Sequence, residues 1–308
     1  MSENRPSSSV LMVTGVTACG KTSRAVTLAR ALGGEIVSAD SRQVYRGMDI
    51  GTGKDLDEYG DVPAHMLDIV PAGYRYNLYE YLRDARACID DIESRGRLPI
   101  VCGGTGLYVE SLARGTRLPE VPENPALRAS LADKSLVELT ATLAGMKRLH
   151  NTTDVDTAKR AIRAIEIETY YADHPELAAA VKGGDDGRRY AIICLDIDRD
   201  TRRSRISARL RSRLGQGMLD EARRLMDGGV DADTMIYYGL EYKFMALHLT
   251  GELTYDEMVS GLETAIHQFA KRQATWFRGM ERRGFVLHHL PYDIPDDELI
   301  AEAKSLIL

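Results

Sequence analysis

Residues Gly15-Val16-Thr17-Ala18-Cys19-Gly20-Lys21-Thr22 fit the phosphate-binding pattern G-x-x-x-x-G-K-[ST] at every fixed position. The apolar run Val10-Leu11-Met12-Val13 precedes them, and a helix-like segment from Ser23 to Leu32 follows. Strand, Gly-rich loop and helix in that order is the context that separates a working loop from a chance match. Glycines let successive backbone N–H groups turn inward around phosphate oxygens, and the helix N-terminus adds positive potential. Lys21 supplies a mobile positive charge, and the Thr22 hydroxyl suits Mg²⁺. The segment therefore reads as a site for a polyphosphate or diphosphate. An idle Gly-rich turn is the competing reading, and the intact pattern with correct flanks argues against it.

Further apolar segments repeat the strand signature. Glu35-Ile36-Val37-Ser38 leads into Ala39-Asp40-Ser41, and Leu98–Cys102 leads into Gly103-Gly104-Thr105-Gly106. Tyr190–Asp196 reads as a fourth strand and Phe285–Leu290 as a last one, with a helix over Tyr79–Ser94. Apolar strands alternating with helices indicate a mostly parallel sheet covered on both faces. Ligands of such sheets bind at the carboxyl ends of the strands, where all three motifs fall. Asp40 would sit at the rim of the phosphate site, to hold Mg²⁺ through water or to act as a general base. A turn or cap role is the plainer reading of an Asp-Ser pair. Gly103 and Gly104 would permit close backbone approach to a ligand, with Thr105 offering its hydroxyl.

The chain has 308 residues, 44% hydrophobic and 28% charged, an ordinary soluble composition. No apolar run approaches the ~18 residues of a membrane span. The polar N-terminus carries no signal-like stretch, so a cytoplasmic location is expected. Cys19, Cys88, Cys102 and Cys194 form no C-x-x-C pair, which indicates neither zinc nor a disulfide framework. Cys19 reads as a small loop residue. Pro119–Pro125 resembles a linker, Ala126–Tyr171 is helical in period without a strand, and Gly183–Gly187 reads as a flexible return. The expected architecture is α/β: a P-loop NTPase-like, mostly parallel sheet with flanking helices, in segments 1–118 and 188–308, and a small helical insertion subdomain over 119–187.

Net charge is −6, yet cationic residues crowd two segments. Arg202, Arg205, Arg209 and Arg213 are spaced three, four and four, beside an apolar stripe of Ile206, Leu210 and Leu214. Such a helix packs on the sheet while aiming guanidinium groups at the phosphate site, although a solvated face is the plainer reading. A second helix, His267–Gly284, sets Ile266, Phe269, Ala270, Trp276, Phe277 and Met280 opposite Lys271, Arg278 and Arg282. Gln273 breaks its apolar side, and a buried Gln needs partners: a ligand, or a loop that it tethers. Trp276 reads as core rather than as a stacking platform.

These motifs together resemble the bacterial tRNA dimethylallyltransferases. The resemblance rests on the phosphate loop, on SADSRQVYRGMDIGT from Ser38 to Thr52, GGTGLY from Gly103 to Tyr108, RAIE from Arg163 to Glu166, and AKRQATWFR from Ala270 to Arg278, in order over nearly the whole chain. It implies transfer of a dimethylallyl group from dimethylallyl diphosphate to the N6 amine of the adenine beside the tRNA anticodon. By position it implies Asp40 as general base with Thr105 as its partner. Arg209 becomes a diphosphate clamp with Lys21, Thr22 and Mg²⁺. Asp40, Ser41, Arg42 and Gln43 become the loop around a flipped-out adenine. Arg128, Lys159, Arg160, Arg163 and Gln273 become RNA contacts, the insertion a tRNA-gripping subdomain, and the protein a monomer.

Three departures stand out. The insertion is short, His150-Asn151-Thr152-Thr153 replaces His-Pro-Asn-Asp, and Gly51-Thr52-Gly53-Lys54-Asp55 replaces Gly-Thr-Ala-Lys-Pro. The rivals are an enzyme that prenylates free AMP or ADP, a P-loop small-molecule kinase, and a non-catalytic RNA-binding relative.

Overall fold

The structure, a computed structural model, describes residues 9–149, 153–180 and 186–307. Six strands, β1 (Ser9–Gly15), β2 (Gly34–Ser38), β3 (Ala64–His65), β4 (Leu98–Cys102), β5 (Arg189–Asp196) and β6 (Leu287–Pro291), form one sheet in the order β3-β2-β4-β1-β5-β6. Every pairing is parallel. Parallel neighbours need crossovers, and crossovers put helices on both faces. Hence β2 is buried along its whole length, and β1 from its second residue onward.

Among the described residues, three helices precede the insertion: α1 (Lys21–Leu32), α2 (Leu78–Ser94) and α3 (Gly106–Ala113). Four lie in the insertion: α4 (Pro125–Leu131), α5 (Leu136–Met146), α6 (Ala158–Asp173) and α7 (Pro175–Ala180). Six follow: α8 (Arg199–Gly215), α9 (Met218–Asp227), α10 (Ala232–Tyr237), α11 (Leu240–Leu249), α12 (Tyr255–Arg282) and α13 (Asp296–Ile307). None is long and apolar enough to cross a membrane.

The chain divides into two compact units, 1–113 with 185–308, and 114–184. In the first, Leu11, Val13, Ile36, Ile100 and Ile193 pack against Ala25 and Leu28 of α1 and Leu299 of α13. Burying such side chains contributes about 1.5–3 kcal/mol each. The start of α2 is fixed by a reciprocal cap, in which Asn77 accepts from the Glu80 N–H and Glu80 from the Asn77 N–H. The second unit has its own core of Leu131, Leu139, Leu143, Ala161, Ala164 and Ile165.

Local differences from the sequence expectations have physical causes. The helix α1 begins at Lys21 rather than Ser23, directly after the loop glycine. Pro125 opens α4 instead of ending a linker, since an N1 proline lacks only an N–H that has no helical partner. The last strand starts at Leu287 rather than Phe285, because Arg283 caps α12 and Gly284 turns the chain at φ +92°. The strand β3 has two residues, too few for a period to register. His150–Thr152 and Gly183–Asp185 lie outside the described residues.

Candidate active site

β1 ends at Gly15 and α1 begins at Lys21, with Gly20 at its N-cap in the left-handed region and no side chain capping the helix. The first-turn N–H groups are thus left for an anion. Ala18 also adopts positive φ, curling the loop. The Lys21 ammonium donates to the Val16 carbonyl at 2.8 Å. Cys19 is wholly buried in the core under the loop. Burial pushes the Cys102 and Cys194 thiols up to about 12, which leaves both unreactive.

Asp40 and Thr105 are brought together by the ends of β2 and β4. The Thr105 N–H donates to the Ala39 carbonyl at 3.2 Å, and the Ser41 N–H donates to the Thr105 hydroxyl at 3.1 Å. This contact requires a glycine at 103, because a Cβ there would lie 2.3 Å from the Ala39 carbonyl group. The close approach foreseen at Gly103 is therefore to the protein's own backbone, not to a ligand. The Asp40 carboxylate accepts from the Arg42 N–H at 2.9 Å, its only hydrogen bond among the described residues. Arg42 lays its guanidinium 5.6 Å from the centre of the Tyr237 ring.

Five of the expected RNA contacts have partners within the protein. Gln43 is buried: its oxygen accepts from the Ser38 hydroxyl at 3.0 Å and its amide donates to the Gly53 carbonyl at 3.3 Å. Gln273 is buried as well. It accepts from the Thr17 N–H at 2.8 Å and donates to the Gly104 carbonyl at 2.8 Å. It thus ties the phosphate loop to the Gly103–Gly106 loop, which is the tether rather than the ligand reading. In the second unit, Arg128 clamps the buried Glu166 carboxylate with two bonds of 2.9 Å, and Arg163 binds the same carboxylate. Arg160 pairs with Asp156. Of these, Arg128 holds α4 against α6, while the Arg163 and Arg160 pairs are local to α6 and its start. Trp276 also departs from expectation, being 39% exposed, with the Arg283 guanidinium 5.6 Å from its ring centre.

The stripe on α8 divides. Ile206 and Leu210 are buried. Arg205 leans over the Tyr292 ring, while Arg209 and Arg213 reach a cavity of about 30 Å³ that Thr17 and Ala18 also line. Both bind the Asp55 carboxylate, Arg213 at 3.3 Å. Glu241 lines the same cavity, and burial raises its carboxyl above the ordinary value. Sequence reading missed Glu221, a buried carboxylate that accepts from the N–H groups of Asp49, Ile50 and Gly51 at 2.8–2.9 Å and so fixes the loop after Ser41–Gln43. A carboxylate 170 residues away leaves no local signal.

Sheet order and the loop at the end of the central β1 define a P-loop enzyme. The IPP transferase family pattern matches residues 43–280, and an isopentenyl transferase pattern matches residues 8–60. The chain is 53% identical to tRNA dimethylallyltransferase 2 of Bacteroides fragilis, across 97% of this chain and 98% of that one. It is 55% identical to tRNA dimethylallyltransferase 1 of Porphyromonas gingivalis, across 94% and 96%. Among solved structures, the tRNA isopentenylpyrophosphate transferase of Bacillus halodurans superposes with a TM-score of 0.70 at 30% identity, covering 96% and 95%. A eukaryotic dimethylallyltransferase acting on tRNA shares the fold, with a TM-score of 0.77 at 21% identity, covering 97% and 78%. The chain belongs to the IPP transferase family and is a prenyltransferase.

Proposed function

We propose that the protein transfers the dimethylallyl group of dimethylallyl diphosphate to N6 of the adenine adjacent to the tRNA anticodon, releasing diphosphate. The observation that carries this reading is the corner in which Thr105 is hydrogen-bonded to Ala39 and Ser41, on either side of Asp40, at the strand ends beside a phosphate loop. An aryl amine is a weak nucleophile and needs both a base and alignment. The N6 lone pair forms the new C–N bond at the allylic carbon. The C–O bond to diphosphate breaks, and its electrons leave with the diphosphate. Asp40 takes the N6 proton, and the Thr105 hydroxyl, held against Ser41, positions the amine.

The loop N–H groups, Lys21 and Arg209 stabilise the charge that accumulates on the leaving group. The Thr22 hydroxyl at the start of α1 is an oxygen donor suited to a hard cation such as Mg²⁺. That ion would supply further charge neutralisation on the diphosphate. The target base lies in an RNA loop, so extruding it costs little. Ser41 and Arg42 line its path, and Lys159 is the basic residue of the 159–163 segment with no ion pair among the described residues. The protein acts as a cytoplasmic monomer. Mass spectrometry of nucleosides from undermodified tRNA, incubated with protein, dimethylallyl diphosphate and Mg²⁺, tests the proposal. A prenylated adenosine is expected, and unmodified tRNA would contradict it.

A further inference from the structure

The loop Gly51–Asp55 departs from the resembling family at two positions, Gly53 and Asp55, and both touch one side chain. The Arg213 guanidinium occupies the space where a Cβ on residue 53 would stand, 1.6 Å from its Nη2, and Gly53 has φ +64°. A side chain at 53 would expel Arg213. The Asp55 carboxylate meets Arg213 at 3.3 Å and also binds Arg209, one helical turn away. The side chain of Arg213 is 13% exposed, against 38% for Arg209. Both arginines line the cavity that reaches Thr17 and Ala18 of the phosphate loop.

From this geometry we infer that Arg213 is a second diphosphate-binding residue beside Arg209, and that Asp55 is the counter-ion which diphosphate displaces. The inference rests on the proposed diphosphate role of the phosphate loop. Two guanidinium groups one turn apart repel each other. Asp55 is the carboxylate bound to both, while Glu241 in the same cavity and Glu58 nearby are pushed by burial toward their neutral forms. Burial and the Arg209 charge both lower the Arg213 pKa, so additional negative charge stabilises the site. Diphosphate brings several charged oxygens to the same two groups, and Arg binds such oxygens in a forked geometry.

The exchange needs only a side-chain rotation. The backbone on either side of residue 53 is fixed: Glu221 holds the N–H groups of residues 49–51, and the buried Lys54 ammonium binds Asp49 at 2.6 Å and Asp68 at 2.5 Å.

The test is calorimetric binding of inorganic diphosphate to the whole protein. Asp55→Asn should bind roughly tenfold tighter than wild type, the size of one charge-assisted contact no longer in competition. Arg213→Met should bind roughly tenfold more weakly, and Asp55→Asn should add no tightening on top of it. Unchanged or weaker binding by Asp55→Asn overturns the inference, and so does wild-type affinity in Arg213→Met. If Arg213→Met fails to fold, the Asp55→Asn result decides alone. Lys21→Ala serves as the control. If it binds diphosphate as wild type does, the phosphate-loop reading fails; if it binds weakly while Asp55→Asn is unchanged, only this inference fails.

Discussion

The side-chain oxygen of Gln273 accepts a hydrogen bond from the Thr17 backbone N–H at 2.8 Å, joining α12 to the phosphate loop across 256 residues of sequence. The same side chain holds the Gly104 carbonyl, so one buried amide sets the distance between the loop and the Thr105 corner. Gln273→Ala should therefore leave two backbone groups without their partner, at a cost of about 1–3 kcal/mol each if both stay buried. A lower melting temperature together with a raised KM for the donor is expected. A variant with wild-type melting and donor kinetics would remove Gln273 from the architecture of the site.

Asp40→Asn keeps the oxygen that accepts from the Arg42 N–H, so the loop should hold its shape. Loss of the base should lower the transfer rate about 10²–10⁴-fold while diphosphate binding is retained. Single-turnover kinetics with a stem-loop acceptor would measure this, and a near-normal rate would exclude Asp40 as the base.

Lys21→Ala and Arg209→Ala should each slow single-turnover transfer as well as weaken donor binding, because both groups act on charge that develops in the transition state. A change confined to KM would assign them to ground-state binding only.

Glu35 offers a pH test that is independent of catalysis. Its buried carboxylate is bound by Arg95, Arg97 and His65, and the Arg95 hydrogen bond, opposed by burial, holds its pKa at about 2 instead of 4.5. A depressed carboxyl stabilises the fold fully above its unfolded pKa, and that contribution disappears as pH falls through the folded value. The stability advantage of wild type over Glu35→Gln should therefore be full at neutral pH and shrink between pH 4.5 and about 2. Denaturant melts across that range would measure it, and a pH-independent difference would contradict it.

In the second unit, the ion pairs separate folding from RNA contact. Arg163→Ala should lower the stability of residues 114–184 by leaving the buried Glu166 short of a partner. Lys159→Ala should weaken stem-loop binding and reduce the salt slope by about one. Fluorescence anisotropy over a salt series would resolve the two. The assignment fails if Lys159→Ala binds with an unchanged slope.

The sheet, the phosphate loop and the Asp40–Thr105 neighbourhood were legible because each is written locally: an apolar run, then a glycine-rich or acidic turn. Gln273 was legible as an anomaly, a polar residue in an apolar stripe, but its partners were not. Glu221, Asp55 and the Gly53–Arg213 contact were illegible, because a carboxylate or a glycine carries no mark of a partner more than 150 residues away. The ion pairs of the insertion's basic residues were likewise illegible. In the run Lys159–Arg163, Arg160 and Arg163 are paired with Asp156 and Glu166, which leaves Lys159 as the charge for RNA.

The central claim is that the acceptor is an adenine in an anticodon loop and the donor a prenyl diphosphate. The most direct measurement offers labelled dimethylallyl diphosphate to the enzyme with equimolar unmodified anticodon stem-loop, AMP and ATP, and locates the label. The account predicts label on the adenine beside the anticodon, with one diphosphate released per transfer and no ATP turnover. Label on AMP with the stem-loop untouched, or hydrolysis of ATP without prenyl transfer, would contradict it.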